Sequence, residues 1–440
     1  MNSLCARLVE DPDKDPRGGP GPRGGPIVTR TASGPTLEFW RAVLLGDVAS
    51  VSRLLASPGS GLSPDVVFDT SDPERWREFR FNIRALRLWS LTYVEELTTP
   101  IHVAANRGHE QVLQLLLNRG AQPDAAPGGR TALHEKLLSG TAINILEHIG
   151  SFPFPLISFG NRPSNSIASC AELLLRFGAS VDGRSEEGEE TPLHVAARGG
   201  LVELAALLLR KGACPDARDA EGRTPLLAAC SVSFLSPTEV EEATSRCLHL
   251  CHLLLSVGAD ADAADHDRQR PLHLACRRGN VAVAELLLSQ GVSVNAMDYG
   301  GHTALHWALQ GPPAALPCSP EQVVRALLNH GAVRIWPGAL PKVLERWCEF
   351  PRIIEVLMNT YSFVKLPGEA EDLIPPEVLK HQDFYSSLFA LVGRPRCLKH
   401  LSRHALRSRL AGCLSQALPQ LPLPPSLLGY LQLDFEDILY

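Results

Sequence analysis

Apolar positions in the middle of the chain follow a pattern that repeats about every 33 residues. The segment Thr99–Ala105 reads T-P-I-H-V-A-A and precedes the apolar run Leu115–Leu117. The segment Thr191–Ala197 reads T-P-L-H-V-A-A and precedes Leu207–Leu209. Apolar residues at this spacing predict two short amphipathic helices in each copy. Further copies or partial copies begin at Thr131, Thr224, Arg270 and Thr303.

The residues around these helices fit their ends. Threonine favours the position before a helix, and proline the first helical position, where its missing N–H is not needed. Glycines such as Gly108 and Gly120 follow the two helices of the first copy. One copy cannot bury its own apolar face, so neighbouring copies must stack into a solenoid. Loops such as Asp219–Gly222 are turn tips that project from it as fingers.

The unit resembles the ankyrin repeat, which has this length and opens on T-P-L-H. The resemblance covers residues 37–361 and implies about six to seven units, with irregular stretches at 57–98 and 135–166. After Thr224 about 13 extra residues lie before the leucine run, and we expect them between the two helices. Residues 1–36 are rich in glycine and proline and are predicted to be disordered. Residues 362–394 form a connecting segment, with a helix predicted over Pro376–Val392.

A second amphipathic pattern occupies residues 395–433, before a short tail at 434–440. Leucines and small residues recur at helical spacing from Leu398 to Leu406, and we expect the basic residues of this helix on its solvent side. These basic residues are Arg403, Arg407 and Arg409. A proline-rich elbow, Leu421–Pro425, precedes another short apolar helix. Three such small helices cannot bury their own leucines, so they must dock on a partner or cap the solenoid.

Composition narrows the function classes. The chain has 440 residues, a length that suggests two or three domains. Its 42 basic and 48 acidic residues give a net charge of −6, which argues against a dominant nucleic-acid or anionic-membrane surface. No apolar run reaches the ~18 residues of a membrane span, and the N-terminus lacks the pattern of a secretory signal. The 11 cysteines are predicted to be reduced thiols. We expect a cytoplasmic protein, with the nucleus as a second compartment.

Candidate chemistry is sparse. The histidines of the repeated motif recur in the unit, so they are interpreted as structural residues that hydrogen-bond across the turn. The segment Cys247–His252 holds metal-ligand types, but no second pair lies at zinc spacing. Four aspartates between Asp260 and Asp267 lack the glycine and glutamate of a calcium loop and are interpreted as an acidic finger tip. We find no catalytic constellation, and predict neither an enzyme nor a metal or cofactor site.

The C-terminal segment resembles a SOCS box. By position, the resemblance implies an elongin C-binding face and a segment that selects the type-five cullin. The elongin-binding residues would be Leu398, Leu401, Ser402, Ala405 and Leu406. The cullin-selecting residues would be Leu421, Pro422, Leu423 and Pro424. The chain departs from the SOCS pattern at Cys397, where serine or threonine is usual, and at Ser402, where cysteine is usual.

Ankyrin repeats followed by a SOCS box are the architecture of the ankyrin repeat and SOCS box proteins. The resemblance implies an all-α solenoid with a three-helix C-terminal box. It also implies a non-catalytic substrate receptor of a cullin-RING ubiquitin ligase, with elongin B, elongin C, a type-five cullin and its RING protein as partners. The rival hypothesis is an ankyrin scaffold or inhibitor whose C-terminal helices only cap the solenoid. Ankyrin geometry places candidate contacts with an unidentified protein substrate at Arg218, Asp219, Glu221, His266, Asp267, Arg268, Asp298 and Tyr299.

Overall fold

The structure of the chain is a computed structural model. It describes residues 27–28, 34–57, 61–69, 76–83, 86–93, 97–138, 165–231, 240–310, 320–366, 382–411, 413–436 and 439. The chain divides into two compact units, residues 1–220 and 221–440. Both are built mainly from antiparallel pairs of short helices. The helices of the first unit are α1 (Pro35–Leu45), α2 (Val48–Ala56), α3 (Pro100–Arg107), α4 (Glu110–Asn118), α5 (132–138), α6 (Asn165–Arg176), α7 (Pro192–Arg198) and α8 (Val202–Arg210).

Helix pairs in the first unit pack on one another through the apolar positions of the repeat. Helix α3 packs on α4 within one repeat, and α4 packs on α2 and α6 of the flanking repeats. Four α4 side chains are buried, Val112, Leu113, Leu116 and Leu117. Each fully buried side chain of this size stabilises the fold by about 1.5–3 kcal/mol. The predicted solenoid packing is therefore present in the first unit.

His102 and His134 of the motif each hold the turn of their own repeat and join it to the next repeat. In α3, His102 Nδ1 lies 2.7 Å from Thr99 Oγ1, and its Nε2 lies 2.8 Å from the carbonyl oxygen of Arg130. His134 makes the same pair of contacts, with Thr131 and with the carbonyl of Glu190. Burial lowers the pKa of His102 to about 4, so its ring is neutral. These contacts support the structural interpretation of the motif histidines.

The long stretch between α2 and α3 contains strands that the periodicity did not predict. Strands β3 (Trp76–Ile83) and β4 (Leu86–Tyr93) form an antiparallel hairpin in which Trp76 is opposite Tyr93. Strand β2 (Val67–Asp69) pairs in parallel with β1 (Ile27–Val28) and antiparallel with β5 (Leu97–Thr98). Apart from β1 and residues 34–36, the predicted disordered N-terminus lies outside the described residues.

The second unit repeats the helix-pair pattern and ends in the C-terminal box. Its helices are α9 (Pro225–Cys230), α10 (Val240–Ser256), α11 (Pro271–Arg277), α12 (Val281–Ser289), α13 (Ala304–Gln310), α14 (Pro320–Asn329), α15 (Leu340–Trp347), α16 (Pro351–Met358), α17 (Gln382–Leu391), α18 (Leu398–Arg409), α19 (Leu414–Ala417) and α20 (Pro425–Leu431). Helix α14 packs on α12 and on α16. None of the described helices is long and apolar enough to cross a membrane.

Two local expectations were wrong. The residues inserted after Thr224 do not all lie between the helices, because α10 has 17 residues where α8 and α12 each have nine. The irregular stretch 135–166 begins inside a helix, since α5 continues to residue 138. Residues 139–164 lie outside the described part of the chain, as does the beginning of the predicted helix Pro376–Val392. The described part of that helix is α17, which buries Phe384 and Leu388.

Candidate functional site

One face of α18 presents apolar side chains to solvent. Leu398 is 79% exposed, Leu406 45% and Leu401 39%. Ser402 and Ala405 are exposed as well, so all five residues predicted to bind elongin lie on accessible surface. Leu427 of α20 is also exposed. Adjacent exposed leucines on one helix face mark an interaction site more often than ordinary surface.

The opposite face of α18 is basic and buried. Arg403 is 3% exposed and Arg407 is half-buried, whereas Arg409 is exposed. The expectation that all three arginines lie on the solvent side is therefore wrong for Arg403 and Arg407. His400, Arg403 and Arg407 follow one another three and four residues apart, which puts them on a single side of the helix. That spacing could have revealed the buried face in the sequence.

His400 lies at the centre of this buried face. Its Nδ1 accepts hydrogen bonds from Arg396 Nη2 and Arg403 Nη2, each at 2.9 Å. Both donors are guanidinium groups, so the ring proton must sit on Nε2, which donates to the carbonyl oxygen of Tyr361 at 2.9 Å. Burial and the charge of Arg396 lower the pKa of His400 to about 4. A neutral imidazole therefore bridges two buried guanidinium groups.

The two guanidinium groups have different surroundings. Arg396 also donates to Asn359 Oδ1 at 2.9 Å, and burial lowers its pKa to about 10. Arg403 lies over the ring of Tyr430, with Cζ 4.1 Å from the centroid, a cation–π contact. Some of their N–H groups are nevertheless buried without a hydrogen-bond partner in the described part of the chain.

Arg407 joins the C-terminal box to the repeat helices. Its guanidinium donates to Asn329 Oδ1 at 2.8 Å and to the Leu328 carbonyl at 3.0 Å, both in α14. It also donates to the carbonyl of Leu431 in α20 at 2.6 Å. The tail adds a salt bridge of 2.6 Å between Arg325 and Asp434. The box is therefore fixed to the last repeats through polar contacts.

The box has a small apolar core of its own. Leu414, Leu418 and Leu431 are buried together, and half-buried leucines pack around them. Among the residues predicted to select the cullin, Leu421 and Leu423 pack against this core, whereas Pro422 and Pro424 are exposed. The elbow thus directs its leucines inward and its prolines outward.

Neighbouring fingers are joined by backbone hydrogen bonds within each unit. In the first unit, Ala220 N–H donates to the Gly188 carbonyl at 2.9 Å. In the second unit, His266 N–H donates to the Glu221 carbonyl at 3.0 Å, and Tyr299 N–H to the Asp267 carbonyl at 2.8 Å. Within each unit, these bonds fix the spacing between neighbouring fingers.

Six of the eight predicted substrate contacts are exposed on these fingers: Arg218, Glu221, His266, Asp267, Arg268 and Tyr299. The other two are not at the surface. Asp219 and Asp298 are 6% and 7% exposed. Asp298 accepts from His302 N–H at 2.8 Å and from Trp307 Nε1 at 2.9 Å, so it holds its turn from inside. The expectation that these two carboxylates contact a substrate is corrected on that ground.

The metal-ligand types considered in the sequence are engaged otherwise. Cys247 and Cys251 are buried in α10, and Cys251 Sγ lies 3.9 Å from Cys230 Sγ. A hydrogen bond with Cys251 and burial raise the pKa of the Cys247 thiol. Asp262, one of the four clustered aspartates, forms a salt bridge with Arg270. In the residues the structure describes, no three His, Cys, Asp or Glu side chains are placed to hold a metal ion.

Comparison with known proteins agrees with these observations. Family models described as ankyrin repeats in three copies match residues 163–236 and 241–335, and a single ankyrin repeat matches 97–126. The SOCS box model matches 394–432.

Similar proteins match over almost the whole chain. Human ankyrin repeat and SOCS box protein 10 is 70% identical, over 99% of this chain and 95% of that protein. The mouse protein of the same name is 65% identical, over 100% and 96%. Human ankyrin repeat and SOCS box protein 18 is 42% identical, over 92% and 88%. The chain therefore belongs to the family of ankyrin repeat and SOCS box proteins.

Proposed function

We propose that this chain is the substrate-recognition subunit of a SOCS-box ubiquitin ligase. The exposed face of α18 binds elongin C, which brings elongin B. The elbow Leu421–Pro424 selects a type-five cullin with its RING protein. The fingers of the ankyrin repeats bind the protein to be modified. The chain itself catalyses no step, and acts in the cytoplasm or the nucleus.

The observation that carries the proposal is the exposure of Leu398, Leu401 and Leu406 on a helix whose other face is buried. Burying an apolar side chain stabilises an interface by about 25 cal/mol per Å², so this face gains most from an apolar pocket in a partner. A receptor held in this way contributes by raising the local concentration of a substrate lysine near the charged conjugating enzyme.

Co-expression with elongins B and C tests the proposal. The wild-type chain should copurify with both as a stable complex, and Leu398→Asp should abolish copurification. A matched control is Leu45→Asp, because Leu45 at the end of α1 is 78% exposed, close to the 79% of Leu398. The control should retain both elongins. Equal copurification of the Leu398→Asp variant and the wild type would contradict the proposal.

The capping hypothesis has an observation in its favour, because Arg407 of α18 contacts α14 and His400 on the same face contacts Tyr361 just after α16. Capping and recruitment use opposite faces of one helix, so the first does not exclude the second. If capping were the only role, Leu398→Asp would leave every binding property unchanged, whereas changes in the arginine face would still loosen the last repeats.

A further inference from the structure

Trp307 sets one repeat apart from the others. The residue that follows the histidine position of the motif is Val103, Glu135, Val195, Ala228 or Leu274 in the other copies, and an aromatic residue only here. The Trp307 ring is half-buried, and its Nε1 donates to Asp298 Oδ2 at 2.9 Å. Arg277 lies over the ring, with Cζ 4.8 Å from the centroid. The repeat thus presents a fixed aromatic side chain with a cation stacked on it.

His302 lies beside Trp307. Its ring packs edge-on against Trp307 at 5.8 Å and lies 6.2 Å from the ring of His306. The packing depends on Gly300, because a Cβ at that position would lie 2.7 Å from His302 Nδ1. Arg277, His302, His306 and Trp307 are here called the Trp307 surface.

Two hydrogen-bond donors on the Trp307 surface have no partner among the described residues. Arg277 stacks on the Trp307 ring, but its N–H groups form no hydrogen bond or ion pair with the described residues. His306 Nδ1 accepts from Thr303 N–H at 3.2 Å, which leaves the ring proton on Nε2. The corresponding Nε2 of His273 reaches the carbonyl of Ala296 at 2.9 Å, whereas that of His306 reaches no described acceptor. Among the described residues, the Nε2 of the motif histidine in this repeat therefore remains without an acceptor.

The exposed charge of the Trp307 surface is positive, and the one carboxylate beside it, Asp298, is buried. Burial opposes ionisation of Asp298, but hydrogen bonds from His302 N–H and Trp307 Nε1 outweigh it and lower the pKa of this carboxyl group. Both of its oxygens therefore accept hydrogen bonds within their own repeat, and the carboxylate is buried. Burial lowers the pKa of His306, which keeps that ring neutral at pH 7. The guanidinium of Arg277 is left as the exposed charge of the four residues.

We propose that the Trp307 surface binds the substrate protein through a segment in which a carboxylate side chain lies next to an aromatic or aliphatic one. The carboxylate accepts from Arg277 and His306, and the apolar side chain packs on Trp307. A guanidinium stacked on an aromatic ring keeps its N–H edge in position for a carboxylate. Trp and Arg are also the residue types that most often dominate binding energy at interfaces. This inference rests on the proposed function, because it names the class of segment that the receptor holds.

The test uses the full chain in complex with elongins B and C, immobilised through elongin B, and a phage library of random 12-residue peptides. Enriched peptides should carry Asp or Glu within two positions of an aromatic or aliphatic residue. Synthetic copies should bind Trp307→Ala and Arg277→Glu at least about tenfold more weakly than the wild type, the loss expected for a dominant contact. A library selected on Arg277→Glu should favour Lys and Arg in place of the acidic residue.

Arg210→Glu is the matched control for Arg277→Glu. Arg210 is also an exposed arginine at the end of a helix, and the substitution reverses the same charge. It should bind the selected peptides as the wild type does. Acidic peptides that bind Arg277→Glu undiminished would overturn the inference, as would peptides without acidic residues or no enrichment at all. Elongin copurification is read on the same preparations, so these outcomes can be told apart from failure of the proposed function.

Discussion

Arg407→Ala would test whether the buried face of α18 holds the C-terminal box on the repeats. In the wild type the Arg407 guanidinium donates to Asn329 Oδ1 and to the carbonyls of Leu328 and Leu431. The variant removes all three hydrogen bonds together. Two of them link α18 to α14, and the third links it to α20. Alanine preserves the helix, so the change is confined to the contacts between these elements.

The expected loss follows from two opposing contributions. A hydrogen bond from a charged donor stabilises by about 1.5–3 kcal/mol, so three contribute about 4.5–9 kcal/mol. Dehydration of the guanidinium opposes this, and burial lowers the pKa of Arg407 from 12.5 to about 10. A shift of that size corresponds to a cost of about 3 kcal/mol. The difference leaves a net contribution of about 1.5–6 kcal/mol, and we expect about 3 kcal/mol, near the middle of this range.

Amide hydrogen exchange measures this locally, without assuming that the whole chain unfolds in one step. The free energy of opening of the α20 amides should fall by about 3 kcal/mol, which raises their exchange rate about a hundredfold. Arg409→Ala is the control, because Arg409 lies two residues further along the same helix and is exposed. It should change α20 exchange by less than about threefold. Equal exchange in the two variants would refute the account of the arginine face.

Two further predictions concern single positions. The pKa of His400 is about 4 in the fold and 6.5 ordinarily, so the unfolded chain binds the extra proton between these values. The contribution of neutral His400 to folding stability is therefore complete above pH 6.5 and lost as the pH falls towards 4. His400→Gln should reduce the pH-dependent rise in α18 amide exchange over this range. An identical rise in the variant and the wild type would contradict the assignment of this pKa to His400. Gly46→Ala should lower the melting temperature more than Gly34→Ala. Both glycines have positive φ, but only at Gly46 would the new Cβ meet a side chain, at 2.7 Å from His109 Nδ1; equal melting temperatures would show that the backbone strain alone matters.

The helices of the repeat and of the C-terminal box could be predicted from the sequence because they depend on local spacing, whereas the box itself was identified by its resemblance to a known family. Thr99 and Pro100 begin a helix wherever the fold places them, and Leu398, Leu401 and Ala405 share a helix face by periodicity alone. The length of α10 was not predictable in this way, since an insertion can extend a helix or a loop with the same count of residues. The β3–β4 hairpin was missed for a related reason, because its strands lie within an insertion that the repeat pattern does not describe.

The buried roles of Arg407 and Asp298 depend on partners that local spacing does not reveal. Arg407 can be buried because its guanidinium donates to Asn329 Oδ1, 78 positions earlier in the chain, at 2.8 Å. Without that partner, an arginine on an amphipathic helix is reasonably assigned to solvent. Asp298 lies at a turn position that suggests a finger tip, but the Trp307 indole nine residues later holds its carboxylate inside. In both cases the sequence contained the right residues, and only the contacts determined which side of them would be covered.

Helix α18 buries its arginines and exposes its leucines, the reverse of an ordinary amphipathic helix, and this reversal relates the wrongly predicted exposure of Arg407 to function. A helix that buries its leucines gains free energy from its own chain, whereas α18 takes its intramolecular contacts from Arg403, Arg407 and His400 and leaves Leu398 exposed. Hydrogen bonds fix the orientation of a helix because each donor must approach its acceptor within a narrow range of angles. The arginine face therefore sets the orientation of the leucine face relative to α14 and α16, while the exposed parts of Leu398, Leu401 and Leu406 remain available for burial. A substitution on the arginine face should consequently change the docking of the box on the repeats, and one on the leucine face should change the recruitment of a partner, each without the other. Neither a simple cap nor a loosely attached binding helix would allow this separation.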